Sequence, residues 1–176
     1  DGIQNEKKVL STLKKEELIS RAIDSGFKRI EVTSFVNPKK IPQMFDTDEL
    51  ISSLSKYKKK DLKFIGLVLN EMGFNRALAS SIDVINYVVV ASDTFSIRNQ
   101  GASTLDNIKV LEKIYAKSNS KIEITTTIGA SFGCPFEGEI SSKKLLLIIE
   151  QISKIGLNEI CLADTIGVAT PKDIKV

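Results

Sequence analysis

The sequence contains no histidine. That excludes a Ser-His-Asp triad and a two-histidine metal site built from this chain alone. Chemistry carried here must rest on carboxylates, amides, hydroxyls, lysines and arginines, or on groups outside these 176 residues. Cysteine is scarce: Cys134 and Cys161 form neither a metal-ligand spacing nor a disulfide framework, which points to a reducing compartment. No apolar run approaches the roughly 20 residues that span a bilayer, so no membrane partner is expected. No signal peptide is visible; the chain starts at Asp1 rather than Met, so a lost leader is compatible with it. Charge of one sign is lacking too. The net charge is +3, and basic and acidic residues interleave on the expected helix faces. This reads as solvated surface, and no nucleic-acid partner is expected. Finally, no Gly-rich phosphate fingerprint follows any expected strand, which counts against a nucleotide site.

What is present is an ordinary globular composition, 42% hydrophobic and 27% charged, in a length that suits one domain with a sizeable core. Short β-rich runs alternate with amphipathic helices. A helix is expected over Thr12–Ser25, capped by Thr12, with Leu18, Ile19, Ala22 and Ile23 on one face and Gly26 at its end. Further helices are expected near Thr47–Lys56 and Glu71–Ser80. Another starts at Ser103, with Leu105, Ile108, Leu111 and Tyr115 on its apolar face. The next starts at Ser141 or Ser142, with Leu145, Ile148, Ile149, Ile152 and Ile155 as its core face, and Pro171 opens a last one. The strands between them are Arg29–Thr33, Leu62–Leu69, Val84–Ala91, Lys121–Ile128 and Glu159–Ala163. Strict alternation with apolar strands argues for an α/β fold with a parallel sheet covered by helices. An open doubly wound sheet and part of an eight-stranded barrel both satisfy it.

Polar residues gather at the C-terminal ends of these strands: Glu31 and Ser34, then Asn70, Ser92, Thr125–Thr127, and Asp164 with Thr165. In a parallel α/β fold that rim is where ligands bind. Loops are polar in any case, but Glu31 does not fit that plain explanation. It alternates with Ile30 and Val32, so if those meet the helices Glu31 points inward, where a carboxylate is costly without a cationic partner. Asp1-Gly2 and Asp164–Gly167 read equally well as turns, and Gly133–Gly138 as a rigid loop around a buried thiol.

Together, in order from Asp1 to Pro171, these stretches resemble the 3-hydroxy-3-methylglutaryl-CoA lyase family. Asp1-Gly2-Ile3-Gln4-Asn5-Glu6 resembles the end of its R-D-G-x-Q-N-E motif. Glu31 to Lys39, followed by Ile41-Pro42-Gln43-Met44, resembles E-x-T-S-F-V-x-P-K-x-x-P-Q-M. Gly133 to Gly138 resembles G-C-P-[YF]-E-G, and Asp164 to Val168 with Thr170-Pro171 resembles D-T-I-G-V-x-T-P. The first and last of these are shared with condensing enzymes such as isopropylmalate and homocitrate synthases; the middle two point to the lyase branch.

The resemblance implies a (β/α)8 barrel, of which about 250 residues make a complete copy. This chain then represents an incomplete barrel, lacking most of the first strand and the last two. It implies a metal site for Mg²⁺ or Mn²⁺ with Asp1 as a ligand, and catalytic positions at Glu31 and Asp164. Gln4, Ser34, Asn70 and Thr165 follow as substrate-binding residues and an acyl-CoA as substrate. The family's remaining ligands, a His-x-His pair and an Asn, and its catalytic Cys are expected beyond Val176, so neither Cys134 nor Cys161 takes that role. A homo-oligomer in the cytoplasm, or alternatively the mitochondrial matrix, is implied for the full-length protein. The implied reaction is the cleavage of 3-hydroxy-3-methylglutaryl-CoA to acetyl-CoA and acetoacetate. A condensing enzyme and a non-catalytic half-barrel binding module are the alternatives.

Overall fold

A computed structural model describes residues 2–175. The chain divides into two compact units, 1–86 and 87–176. In the first unit, α1 (Thr12–Asp24) leads to β1 (Arg29–Ser34), a 3₁₀ turn at Pro42–Met44 and α2 (Thr47–Ser53), which runs on into a second 3₁₀ turn, Leu54–Tyr57. Then come β2 (Lys63–Val68), α3 (Glu71–Leu78) and β3 (Val84–Val90), within whose sequence the division falls. The second unit continues with α4 (Asp93–Gln100), α5 (Thr104–Ser118), β4 (Glu123–Gly129), the two-residue strands β5 (Gly133–Cys134) and β6 (Gly138–Glu139), α6 (Ser142–Ser153), β7 (Ile160–Leu162) and α7 (Pro171–Ile174). The main sheet has the order β1-β2-β3-β4-β7, and β5 and β6 form a small antiparallel ribbon. β1 and β2 pair parallel, as do β4 and β7. The expected α/β class is therefore borne out. No helix among the described residues is long and apolar enough to cross a membrane.

Side-chain chemistry explains the helix boundaries. Asn70, Ser92, Ser103 and Ser141 each accept a hydrogen bond from a main-chain N–H in the first turn of the helix they precede, satisfying a donor that no carbonyl of the helix can reach. Thr12 does not cap α1 as expected. Ser11 occupies the N-cap position and Thr12 is the first helical residue, its hydroxyl donating to Asp46 at 2.9 Å. The apolar stripes differ in detail as well: Leu18 and Leu105 are more than half exposed, while Ile19, Ile108 and Leu111 are buried.

The strands show which face meets the helices. In β2, Phe64, Gly66 and Val68 are buried while Ile65 and Leu67 are half-buried. Phe64 and Val68 enter the core of the first unit with Phe74 and Leu50, all nearly inaccessible. Burying each such side chain contributes about 1.5–3 kcal/mol. The packing leaves no room for a side chain at Gly73, where a Cβ would stand 2.6 Å from the Phe35 carbonyl oxygen. In the second unit, Tyr87 is fully buried and its hydroxyl donates to Asn107 Oδ1 at 3.1 Å. The Asn107 amide in turn donates to Ser96 Oγ at 2.9 Å and to the Ala102 carbonyl, so a saturated polar network ties β3, α4 and α5.

Two elements were not expected from the sequence. α4 carries no apolar stripe, and only Ser96 along it is buried. It is held instead by polar ends: Asp93 Oδ1 accepts from the Thr104 amide at 2.8 Å, and Gln100 Nε2 donates to the Val88 carbonyl at 2.8 Å. The β5–β6 ribbon is too short to show a period in sequence.

Candidate active site

In the first unit, the face of the sheet turned away from the helices carries Glu31. Its register partner on β2 is the half-buried Ile65. Glu31 Oε2 accepts a hydrogen bond from Asn86 Nδ2 of β3 at 3.0 Å. Asn86 alternates with the helix-facing Tyr87, so it lies on the same outer face. A half-buried carboxylate held by an amide across the intervening strand is thus built into this surface. In sequence, Asn86 carries one usable signal, that of a lone amide inside the run Val84–Val90, and the expected site residues do not include it.

Between Glu31 and Thr33 the β1–β2 register shifts: Glu31 pairs with Ile65 and Thr33 with Gly66, leaving Val32 as an extra residue. Thr33 then faces the helix side, its hydroxyl 2.9 Å from that of Thr47 in α2. Ser34, paired with Leu67, comes onto the face of Glu31. Strict alternation would have placed residues three apart on opposite faces. The bulge brings two of the expected site residues together. Ser34 Oγ is buried and has no hydrogen-bond partner in the structure, which is costly for a hydroxyl.

The other expected residues of this unit are placed differently. Asn70 follows β2 at its C-terminal end and is exposed; its Oδ1 accepts from the Gly73 amide at 2.9 Å as the cap of α3. Gln4 is half-buried in a turn over residues 2–5, closed by a bond from the Glu6 amide to the Ile3 carbonyl at 3.0 Å. Asp1, expected as a metal ligand, lies outside the described residues. Behind the turn, the side chain of Gln43 donates to the carbonyls of Glu6 and Lys8 at 2.9 and 2.8 Å and accepts from the Leu10 amide at 3.1 Å. The buried Lys15 ammonium lies 2.5 Å from Asp46 Oδ1 and also donates to the Gln43 carbonyl.

In the second unit, Asp164 and Thr165 organise main chain. Asp164 accepts from the amides of Val168 and Ala169 at 3.0 and 2.8 Å, closing the loop after β7. Thr165 Oγ1 accepts from the Ala130 amide at 2.7 Å, where Ala130 has φ of +55° at the end of β4. This is a conformation that costs a non-glycine residue energy and that the bond helps to hold.

The Gly133–Gly138 stretch forms the ribbon and its turn. The buried Cys134 thiol donates to Ser92 Oγ at 2.9 Å, and its sulfur accepts from the Phe136 amide. Burial pushes the thiol up, but the hydrogen bond shared with Ser92 and those from the amides of Phe136 and Glu137 outweigh it, so its pKa lies below the ordinary value. Glu137 accepts from the Thr94 amide at 2.7 Å and pairs with Lys144 at 3.2 Å. The first of these bonds does most to lower its pKa, to about 2. Cys134 and Glu137 thus fasten the ribbon to the start of α4. A cavity of about 560 Å³ lies beside it, lined by Gly133, Cys134, Glu139, Leu145, Ile166 and Val168 among others.

No group of three or more His, Cys, Asp or Glu side chains able to hold a metal ion is assembled among the described residues. The described donor set therefore does not by itself fit the expected divalent cation.

The sequence is 35% identical to an (R)-citramalyl-CoA lyase of Chloroflexus aurantiacus, over 99% of this chain and 58% of that protein. It is 34% identical to the mitochondrial hydroxymethylglutaryl-CoA lyase of Homo sapiens, over 99% of this chain and 54% of that one. The chain thus spans a little over half the length of these curated relatives. Among solved structures it superposes with a TM-score of 0.94 on an HMG-CoA lyase from Acinetobacter baumannii in complex with coenzyme A and 3-methylmalate, at 35% identity, covering 99% of this chain and 57% of that one. An HMG-CoA lyase from Brucella melitensis gives 0.92 at 32% identity, covering 99% and 61%. The expected fold class, that of the (β/α)8 barrel, agrees with these likenesses, with five parallel strands represented here. With a family profile matching residues 1–176 throughout, the chain belongs to the HMGL-like family.

Proposed function

We propose that the protein carrying this chain is a carbon–carbon lyase that cleaves 3-hydroxy-3-methylglutaryl-CoA to acetyl-CoA and acetoacetate. The observation that carries this reading is the Glu31–Ser34 face: an amide-held carboxylate and a buried hydroxyl without a partner, set on one side of a strand by its bulge. Family membership supports the reaction class, and the structural relative with bound coenzyme A supports an acyl-CoA substrate.

The reaction is a retro-Claisen cleavage. The tertiary hydroxyl loses its proton, the bond between the carbinol carbon and the carbon next to the thioester breaks, and acetoacetate leaves. The thioester enolate left behind takes up a proton to give acetyl-CoA. Glu31, oriented by Asn86, holds a cationic or hydroxylic donor in place at the rim; Ser34 supplies a hydrogen bond to a substrate oxygen. Asp164 shapes the loop that presents Thr165, whose hydroxyl oxygen is occupied by the Ala130 amide and whose O–H remains to donate. Gln4 and Asn70, the latter through its amide NH₂, belong to the same proposal as substrate contacts. A divalent cation, Mg²⁺ or Mn²⁺, is part of it as well, with Asp1 as the ligand contributed by this chain.

The test is a side-by-side assay of the full-length protein with 3-hydroxy-3-methylglutaryl-CoA and citramalyl-CoA, following thiol ester products and the released keto acid. Acetoacetate from the first substrate is the expected result. The second reading, a citramalyl-CoA lyase, is favoured by the relative from Chloroflexus aurantiacus, whose identity to this chain matches that of the HMG-CoA lyases. Turnover of citramalyl-CoA alone would establish it. Condensation of acetyl-CoA with a 2-oxo acid without any cleavage would overturn both.

A further inference from the structure

Residues 6–11 have no regular secondary structure, and Glu6, Lys7, Lys8 and Val9 are all exposed. Apolar packing therefore does little to fix the course of this segment. Yet it carries the Gln4 turn on one side and α1 on the other. What fixes it is one side chain. Gln43, 2% exposed, uses both amide protons on the Glu6 and Lys8 carbonyls and its oxygen on the Leu10 amide. The Glu6 amide passes the constraint on by closing the turn on the Ile3 carbonyl. Gln43 is held in its turn. It lies in the 3₁₀ turn Pro42–Met44; its carbonyl accepts from Lys15 Nζ, and Lys15 pairs with Asp46, which also accepts from Thr12. All of these partners lie in the first unit, and each of the three side-chain contacts of Gln43 is to main chain of the segment.

We infer that Gln43 is a positioning residue: it sets the main-chain path of residues 6–10 and, through Glu6, the placement of the Gln4 turn. It touches no substrate. The role rests on the proposed lyase reading only for its kinetic consequence; the geometric part stands without it. A side chain of equal length that cannot donate should loosen the segment while leaving α1, β1 and the core in place. A carboxyl at this position keeps the acceptor for Leu10 but faces two carbonyls. It can donate to one of them only when protonated, and burial raises the pH at which that happens.

The experiment compares the full-length protein with its Q43M and Q43E variants. Hydrogen exchange read by mass spectrometry on peptides covering residues 3–10 reports the path; peptides from α1 and β2 report the fold. Expected are faster exchange in 3–10 alone, and a fall in kcat/KM of roughly tenfold to a hundredfold carried mainly by kcat. In Q43E, both effects should diminish as the pH is lowered from 8 to about 5.5, against a parent profile measured in parallel. Unchanged exchange in residues 3–10 in both variants overturns the inference. So does exchange that rises equally in α1 and β2, since that makes Gln43 a general stabiliser. If the parent shows no lyase activity but the exchange pattern is as expected, the proposed reaction fails and the positioning role stands.

Discussion

Replacing Lys15 by methionine should cost the first unit several kcal/mol. The ammonium and its partner are both almost inaccessible, with side-chain exposures of 4% for Lys15 and 1% for Asp46. Methionine fills much the same space, so the loss is electrostatic rather than steric. Asp46 would keep the Thr12 hydroxyl but lose its counter-charge, and the Gln43 carbonyl would lose its donor. Removing one partner of a buried pair leaves an uncompensated charge and costs about 3–5 kcal/mol. For a chain of this size each kcal/mol lowers the melting temperature by roughly 2–4 °C, so a drop of about 6–20 °C is expected. Replacing Asp46 by asparagine in the same protein removes the stranded charge and should recover more than half of the loss. Urea denaturation followed by far-UV circular dichroism measures both. A K15M variant within about 1 kcal/mol of the parent would refute the reasoning, because the pair would then have to be hydrated or dispensable.

Asn70→Ala removes the cap of α3 and should destabilise by about 1 kcal/mol; a loss of activity far beyond that would show that its amide also contacts substrate. Gly73→Ala pushes a methyl group into the Phe35 carbonyl, and about 1–3 kcal/mol of destabilisation should appear in a thermal melt. Because the Glu137 pKa is lowered in the folded chain, its stabilising effect is complete above the ordinary value of 4.5 and is lost as the pH falls towards about 2. Glu137→Gln should flatten that part of the acid-unfolding curve and leave the neutral region little changed in slope. The 176-residue chain expressed by itself should associate and show no lyase turnover: β1 and β7 end the strand order, and Leu162, Val168 and Ile174 are exposed. Light scattering that gives a monomer at high concentration would contradict this.

The parts legible in sequence were those with a repeating signal or a fixed punctuation. The capped starts at Ser103 and Ser141 and the apolar strand at Val84 are seen within a residue or two. α4 was not, because Asp93–Gln100 has no apolar stripe and is held at its ends by side chains distant in sequence. Among the site residues, Glu31 could be placed by alternation. Its pairing with Asn86 could not, since the two are 55 positions apart and meet only across β2. Gln43 belonged to a recognised motif, yet nothing in P-Q-M says that its amide folds back on residues 6–10. For Asp164 the sequence alone offered a turn and the resemblance a catalytic carboxylate; the turn is seen, with each oxygen accepting one amide of its own loop.

The extra residue in β1 changes what this strand can tolerate. Val32 stands between two positions that pair with consecutive residues of β2. Deleting it would leave Glu31, Thr33 and Ser34 opposite Ile65, Gly66 and Leu67 as before, now in unbroken alternation. The strand would lose a buried valine, about 1.5–3 kcal/mol, but keep every other side chain on its present face. β4 has no such slack. Thr126, Thr127 and Ile128 match Ile160, Cys161 and Leu162 one for one, and removing a residue there would turn all that follow it over. Shortening by one residue is thus a quantitative change in the first strand and a topological error in the fourth.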